Sequence, residues 1–168
     1  MSTVATREPL AQRVWRLLEE VKDPEIPVLS VVDLGIARDV RVHNGQVEVV
    51  ITPTYSGCPA MDTITHDIEH ALSAAGLAGA RVTTQLAPAW TTDWLSEAGR
   101  EKLEGYGIAP PAHASHDKRA LLGGTGAIAC PRCRSLHTER LSEFGSTACK
   151  ALYRCLDCLE PFDYFKCV

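Results

Sequence analysis

Six of the seven cysteines fall between Cys130 and Cys167, and the seventh, Cys58, stands alone far upstream. Cys130-Pro-Arg-Cys133 and Cys155-Leu-Asp-Cys158 are two Cys-x-x-Cys pairs with 21 residues between them. A tight turn at each pair points both sulfurs to one side, and two such turns set four thiolates at the corners of a tetrahedron. That ligand set serves a structural zinc ion, the first expectation, or alternatively an iron–sulfur centre. Cys149 and Cys167 are left over. As small apolar side chains they fill core space; as thiols they are candidate accessory ligands.

Cys58 lies in Thr52-Pro-Thr-Tyr-Ser-Gly-Cys-Pro-Ala-Met61. Pro59 suits the first position of a helix, which makes Cys58 the predicted N-cap. Unpaired N–H groups and the positive end of the helix dipole favour a thiolate there, so Cys58 is a candidate functional thiolate. A decoy follows. His66-Asp-Ile-Glu-His70 has the letter order H-x-x-E-H of a peptidase family, but both histidines fall opposite Ile64 and Ile68 and so face water. The chain shows no glycine-rich phosphate loop, no Ser/His/Asp set and no Glu-x-x-His pairs for a di-iron site. The expectation is a protein without catalytic residues of its own.

The elements that must hold these residues read as mixed α and β. Leu10, Val14, Leu17, Leu18 and Val21 share a helical face, and Pro24 ends that helix. Residues 23–35, with two prolines and no clean period, read as an ordered loop. Val40 and Val42, then Asn44-Gly45, then Val47, Val49 and Ile51 predict a β-hairpin. A second helix follows Pro59, with Met61, Ile64, Ile68, Ala71, Leu72 and Ala75 on one face and Gly76 stopping it. Residues 81–86 predict a strand, and Asp93 to Glu104 a third helix capped by Thr91 or Thr92, with Gly105 beyond its end. Short strands are expected at 138–141 and 152–154.

The segment 109–126, rich in glycine and proline, reads as a linker between a domain at 1–108 and a cysteine module at 127–168. Charge shifts across it: 9 Lys and Arg against 15 Asp and Glu before it, 6 against 5 after it. A module of that size cannot stand on apolar burial alone, so a metal core is physically apt. The fold class is therefore α/β, of the α+β kind: a small mixed sheet with helices, followed by a zinc-ribbon-like module with four cysteine ligands. The whole chain has 168 residues, 45% hydrophobic and 23% charged, with a net charge of −4. An acidic balance argues against nucleic acid as a partner, and the lack of a long apolar run argues against a membrane. The opening residues show no export signal, so a reducing, cytoplasmic compartment is expected, where disulfides are a poor first guess.

Two stretches carry a resemblance. Asp23-Pro-Glu-Ile-Pro-Val-Leu-Ser-Val-Val-Asp-Leu-Gly35 with Thr52-Pro-Thr-Tyr-Ser-Gly-Cys-Pro59 resembles the metal–sulfur cluster biosynthesis, or SufT-like, family. Cys130-Pro-Arg-Cys133, Ser142 through Cys155 and Glu160-Pro-Phe-Asp-Tyr-Phe-Lys-Cys167 resemble the PaaD (PaaJ) family, the D components encoded with the multicomponent phenylacetyl-CoA epoxidase, or 1,2-oxygenase. Arg134 departs from that pattern, standing where a glycine is common. The resemblance implies a bacterial, non-catalytic component of phenylacetate catabolism. It implies an accessory or maturation role in iron or iron–sulfur cofactor assembly, with the oxygenase or its iron–sulfur flavin reductase as partner. In that role Cys58 becomes the candidate metal-transfer thiolate, and Asp23, Glu25 and Asp33 become candidate accessory groups near it. An electron-transfer subunit or a structural subunit is the alternative, and both a monomer and a homodimer fit the sequence.

Overall fold

The computed structural model describes residues 8–111 and 127–166. Helix α1 (Leu10–Glu20) turns Val14 and Leu18 fully into the core. The chain then leaves the helix at Val21, before the prolines, and the 22–35 loop is ordered by its own side chains. The Asp23 carboxylate accepts the N–H groups of Glu25 at 2.8 Å and Ile26 at 2.7 Å, while Ile26, Leu29, Val31 and Leu34 are buried. Such a local carboxylate-to-backbone turn is what lets a proline-rich stretch hold one shape.

Strands β1 (Ala37–His43) and β2 (Gln46–Ile51) form the expected antiparallel hairpin. Asn44 and Gly45 both take positive φ, 51° and 79°, the pairing that matches the twist of the strands. Val47, Val49 and Ile51 point into the core, where they meet Ile64, Ile68 and Leu72 of α2 (Ala60–Ala74). Strand β3 (Arg81–Thr84) then lies parallel to β2, so α2 is a crossover and the sheet order is β1-β2-β3. His66 and His70 are exposed and stack on each other, 6.4 Å between ring centroids, which agrees with their reading as solvent-facing.

The third helix differs from expectation. Thr91 does cap a turn, but only a 3-10 turn at Thr92–Trp94; α3 proper is Glu97–Tyr106, capped by Ser96. Gly105 lies inside α3, and Gly107, with φ 90°, ends it. The break comes from tertiary packing. Leu95 is buried and extended, and the Ser96 N–H donates to the Asp33 carbonyl at 2.8 Å, so the chain is held straight between the two turns.

A second sheet follows, built from β4 (Ile108–Ala109), β5 (Thr138–Ser142), β6 (Lys150–Cys155) and β7 (Pro161–Phe165) in the order β4-β7-β6-β5. β4 pairs parallel with β7, and the other pairs are antiparallel. Ala109, read from sequence as linker, is thus a buried strand residue of the ribbon sheet; most of the linker lies outside the described residues. The ribbon is not a separate bead. Cys149 and Phe165 belong to the main core with Val14, Leu34 and Leu103, and Trp90 meets Phe165 edge-on at 6.0 Å while its ring N–H donates to the Leu34 carbonyl at 2.8 Å. The ribbon keeps a small cluster of its own around Cys130, Cys155, Tyr153 and Phe162. No helix among the described residues is long and apolar enough to cross a membrane.

Asp33 staples α3 to the 22–35 loop. Its carboxylate accepts the Ser30 N–H at 3.0 Å, the Ser30 hydroxyl at 2.9 Å, the Ser96 hydroxyl at 3.3 Å and the Lys102 ammonium at 2.6 Å. Burial opposes its ionisation, but Lys102 and the Ser30 donors outweigh burial and hold the carboxyl below its ordinary value. A carboxyl held low contributes stability that is present above its unfolded value, about 3.9, and lost as pH falls through the folded one. Lys102→Met is therefore expected to lower the thermal midpoint at neutral pH. The gap to wild type should close as the pH falls below about 4. A gap that stays constant into acid would show that Lys102 acts through packing rather than charge.

Candidate functional site

The ribbon presents its cysteines on two matching knuckles. In the first, the Cys130 carbonyl accepts the Arg134 N–H at 2.9 Å and the Cys130 N–H donates to the Ser135 carbonyl at 2.9 Å. The residue after each pair, Arg134 and Leu159, takes the left-handed conformation at φ 64°. This explains why glycine suits that position and what Arg134 costs, about 1–2 kcal/mol of backbone strain. The knuckles are strapped to each other by His137 to Asp157 at 3.1 Å and Arg132 to Glu160 at 3.5 Å, and to α3 by Arg134 to Glu104 at 2.9 Å.

The four sulfurs of Cys130, Cys133, Cys155 and Cys158 all lie within 4.8 Å of one another. Cys130 and Cys158 are 3.8 Å apart, Cys133 and Cys155 3.5 Å. Ligands about 2.3 Å from a single tetrahedral ion stand about 3.8 Å from each other, so the donor set fits one metal ion. Cys130 and Cys155 are buried, and Cys133 and Cys158 are exposed. The Cys158 N–H, with that of Asp157, holds the Cys155 thiol down to about 6.

A second group of side chains gathers around Cys58. Gly57 takes φ 80°, the Cys58 N–H donates to the Tyr55 carbonyl at 3.2 Å, and Pro59 rather than Cys58 occupies the N-cap of α2. Cys58 is thus one residue short of the predicted cap, on the turn that leads into the helix. It is half-buried and packs against the main core beside Tyr55. Burial, then Cys58 and Glu25, push the Tyr55 phenol up to about 12. Glu25 stands 3.8 Å from the Cys149 sulfur, whose other neighbour is the Thr147 hydroxyl at 3.2 Å. Burial, reinforced by Glu25 and Asp23, pushes the Cys149 thiol up to about 11. Asp23 is buried and bound to its own loop, and burial raises its carboxyl above the ordinary value. Among the accessory candidates, then, Glu25 and Cys149 come together, Asp33 is engaged with Ser30, Ser96 and Lys102, and Cys167 lies outside the described residues. Tyr55 and Thr147 were not singled out from sequence. Tyr55 lies within the Thr52–Pro59 stretch and Thr147 within the Ser142–Cys155 stretch, both of which carry the family resemblance.

Comparison with known proteins decides the family. A protein of Escherichia coli provisionally named as the D component of a 1,2-phenylacetyl-CoA epoxidase is 49% identical over 168 residues, covering 100% of this chain and 98% of that one. The chain belongs to the PaaD family. The model of the PaaD zinc beta ribbon domain matches residues 114–166, and that of an iron-sulfur cluster assembly protein matches residues 11–84. Over its first part the PaaD chain is also 40% identical to an Fe-S protein maturation auxiliary factor of Porphyromonas gingivalis, across 92 residues that make 54% of this chain and 87% of that one. A crystal structure of a domain of unknown function from Bacillus anthracis superposes with a TM-score of 0.52 at 27% identity, covering 55% of this chain and 90% of that one. The expected fold class stands: an α+β assembly-type domain followed by a PaaD ribbon.

Proposed function

We propose that this chain is a non-catalytic maturation subunit of a phenylacetyl-CoA epoxidase, acting in the cytoplasm to help place iron or an iron–sulfur cofactor on the oxygenase or its reductase. The observation that carries this reading is the joining, in one chain with one shared core, of an assembly-type domain bearing a half-buried thiol to a PaaD ribbon. The names of the relatives favour the same role. The ribbon's four sulfurs are the expected seat of a resident zinc. Their spacing suits a single ion, whereas a cluster of several irons spreads its cysteines wider. Zinc there is redox-inert and supplies folding energy, leaving Cys58 to handle the cargo metal.

The electron-carrier reading draws on the same geometry, since one iron fits four thiolates as zinc does. Metal analysis of protein purified without oxygen separates the two: colourless protein with one zinc supports maturation, and coloured iron protein supports electron transfer. The direct test is to produce the oxygenase and reductase with and without this chain. Their iron content is expected to fall when it is missing. Purified alone and given phenylacetyl-CoA, oxygen and reductant, the chain should form no epoxide. Full iron loading in its absence would overturn the maturation role.

A further inference from the structure

The sulfur contacts of the ribbon cross from one knuckle to the other. Cys133 lies 3.5 Å from Cys155, and Cys130 lies 3.8 Å from Cys158. Each contact also joins an exposed cysteine to a buried one: Cys133 and Cys158 are exposed, Cys155 and Cys130 buried. A small molecule arriving from solvent therefore meets one sulfur of each pair, with the second directly behind it. The two exposed sulfurs differ in their surroundings. Cys133 stands between Arg132 and Arg134, whose side chains are 70% and 73% exposed, while Cys158 stands between Asp157 and Leu159. Cations beside a sulfur steady the hydroxide that leaves when that sulfur attacks a peroxide.

We propose that the ribbon is an oxidation site for hydrogen peroxide: Cys133 reacts first, disulfides close across the knuckles from Cys133 to Cys155 and from Cys130 to Cys158, and the zinc is released. The Cys133 thiolate attacks one peroxide oxygen, the O–O bond breaks and hydroxide leaves, so the sulfur becomes a sulfenic acid. The Cys155 thiolate then attacks that sulfur, the S–S bond forms and a second hydroxide leaves. Two thiolates lose two electrons, one peroxide gains them, and two solvent protons turn both hydroxides into water. A second peroxide, entering at exposed Cys158, closes the bond to Cys130 by the same route. Zinc is left without thiolates and passes to water. Disulfides need cysteines that are already close, and the crossed contacts supply them without moving one knuckle past the other. An oxygenase that reduces oxygen without reaching its substrate yields hydrogen peroxide, so the oxidant arises in the kind of system proposed for this chain.

The inference rests on the resident zinc of the proposed function. The test uses full-length, reduced, zinc-loaded protein, given hydrogen peroxide in steps. Released zinc is read with a colorimetric chelator, and disulfides are located by peptide mass mapping after free thiols are alkylated. About two peroxides per chain should release all the zinc, one for each disulfide. At the first equivalent the Cys133–Cys155 link should predominate; at the second the Cys130–Cys158 link should join it. A dithiol reductant with added zinc should restore the starting protein. Zinc kept in a large excess of peroxide overturns the inference. So does zinc lost with no disulfide, with links inside Cys130–Cys133 and Cys155–Cys158, or with links to Cys58, Cys149 or Cys167. A Cys130–Cys158 link that forms first overturns the leading place of Cys133. Protein that carries no zinc when purified overturns the zinc seat and this inference together, whereas protein that holds zinc and keeps it under peroxide overturns this inference alone.

Discussion

Cys130→Ser and Cys155→Ser are each expected to strip the metal from the ribbon and make residues 127–166 sensitive to protease. Cys130 and Cys155 are the two buried sulfurs of the four, fully enclosed by the ribbon's small cluster with Tyr153 and Phe162. A four-thiolate metal supplies about 10 kcal/mol or more toward folding such a module, which is comparable with the whole stability of a small domain. The apolar contacts that remain cannot replace it. Because Trp90 lies edge-on to Phe165, loosening the ribbon should also change Trp90 fluorescence, while the helices and first sheet persist in circular dichroism. Zinc content, limited proteolysis and fluorescence on the same samples make the test. Full metal retention in both single variants would remove the four-thiolate assignment.

Cys58→Ser should have the second large effect, on function rather than on folding. Cys58 is half-buried on a turn and meets α2 through its backbone carbonyl, which accepts the Met61 N–H at 3.3 Å and is kept in a serine, so the oxygen-for-sulfur change should cost about 1 kcal/mol or less. The thermal midpoint should stay nearly unchanged. Serine is a poor ligand for soft metals, so cells that depend on this variant should accumulate oxygenase or reductase short of iron and fail to grow on phenylacetate. A purely structural cysteine predicts the reverse: lowered stability, with normal iron in whatever stays folded. Normal growth and normal iron loading would end the role of Cys58 as transfer thiol.

The parts of the molecule that could be read from sequence are those whose cause is local. The Asn44-Gly45 turn between alternating valines fixes a hairpin by itself, and the period of Ile64, Ile68 and Leu72 marks the buried face of α2. The two Cys-x-x-Cys pairs announce the ribbon in the same way. What could not be read depends on distant partners. The start of α3 is set at Ser96 by the Asp33 carbonyl and carboxylate, not by the threonines beside it. β4 is two residues long and exists because β7 lies alongside. Cys149 meets Glu25 across 124 positions of chain, a separation that no spacing rule covers.

Cys149, in the main core, stands immediately ahead of β6, and the strand that begins at Lys150 ends at Cys155 among the four ribbon sulfurs. One strand thus runs from the main core to the sulfur cluster. A metal bound at the ribbon would order β6 from that end, and by thermodynamic linkage whatever steadies the core end would tighten the metal by the same factor. A chain starved of zinc would then lose rigidity in the core around Cys149 as well as in the ribbon.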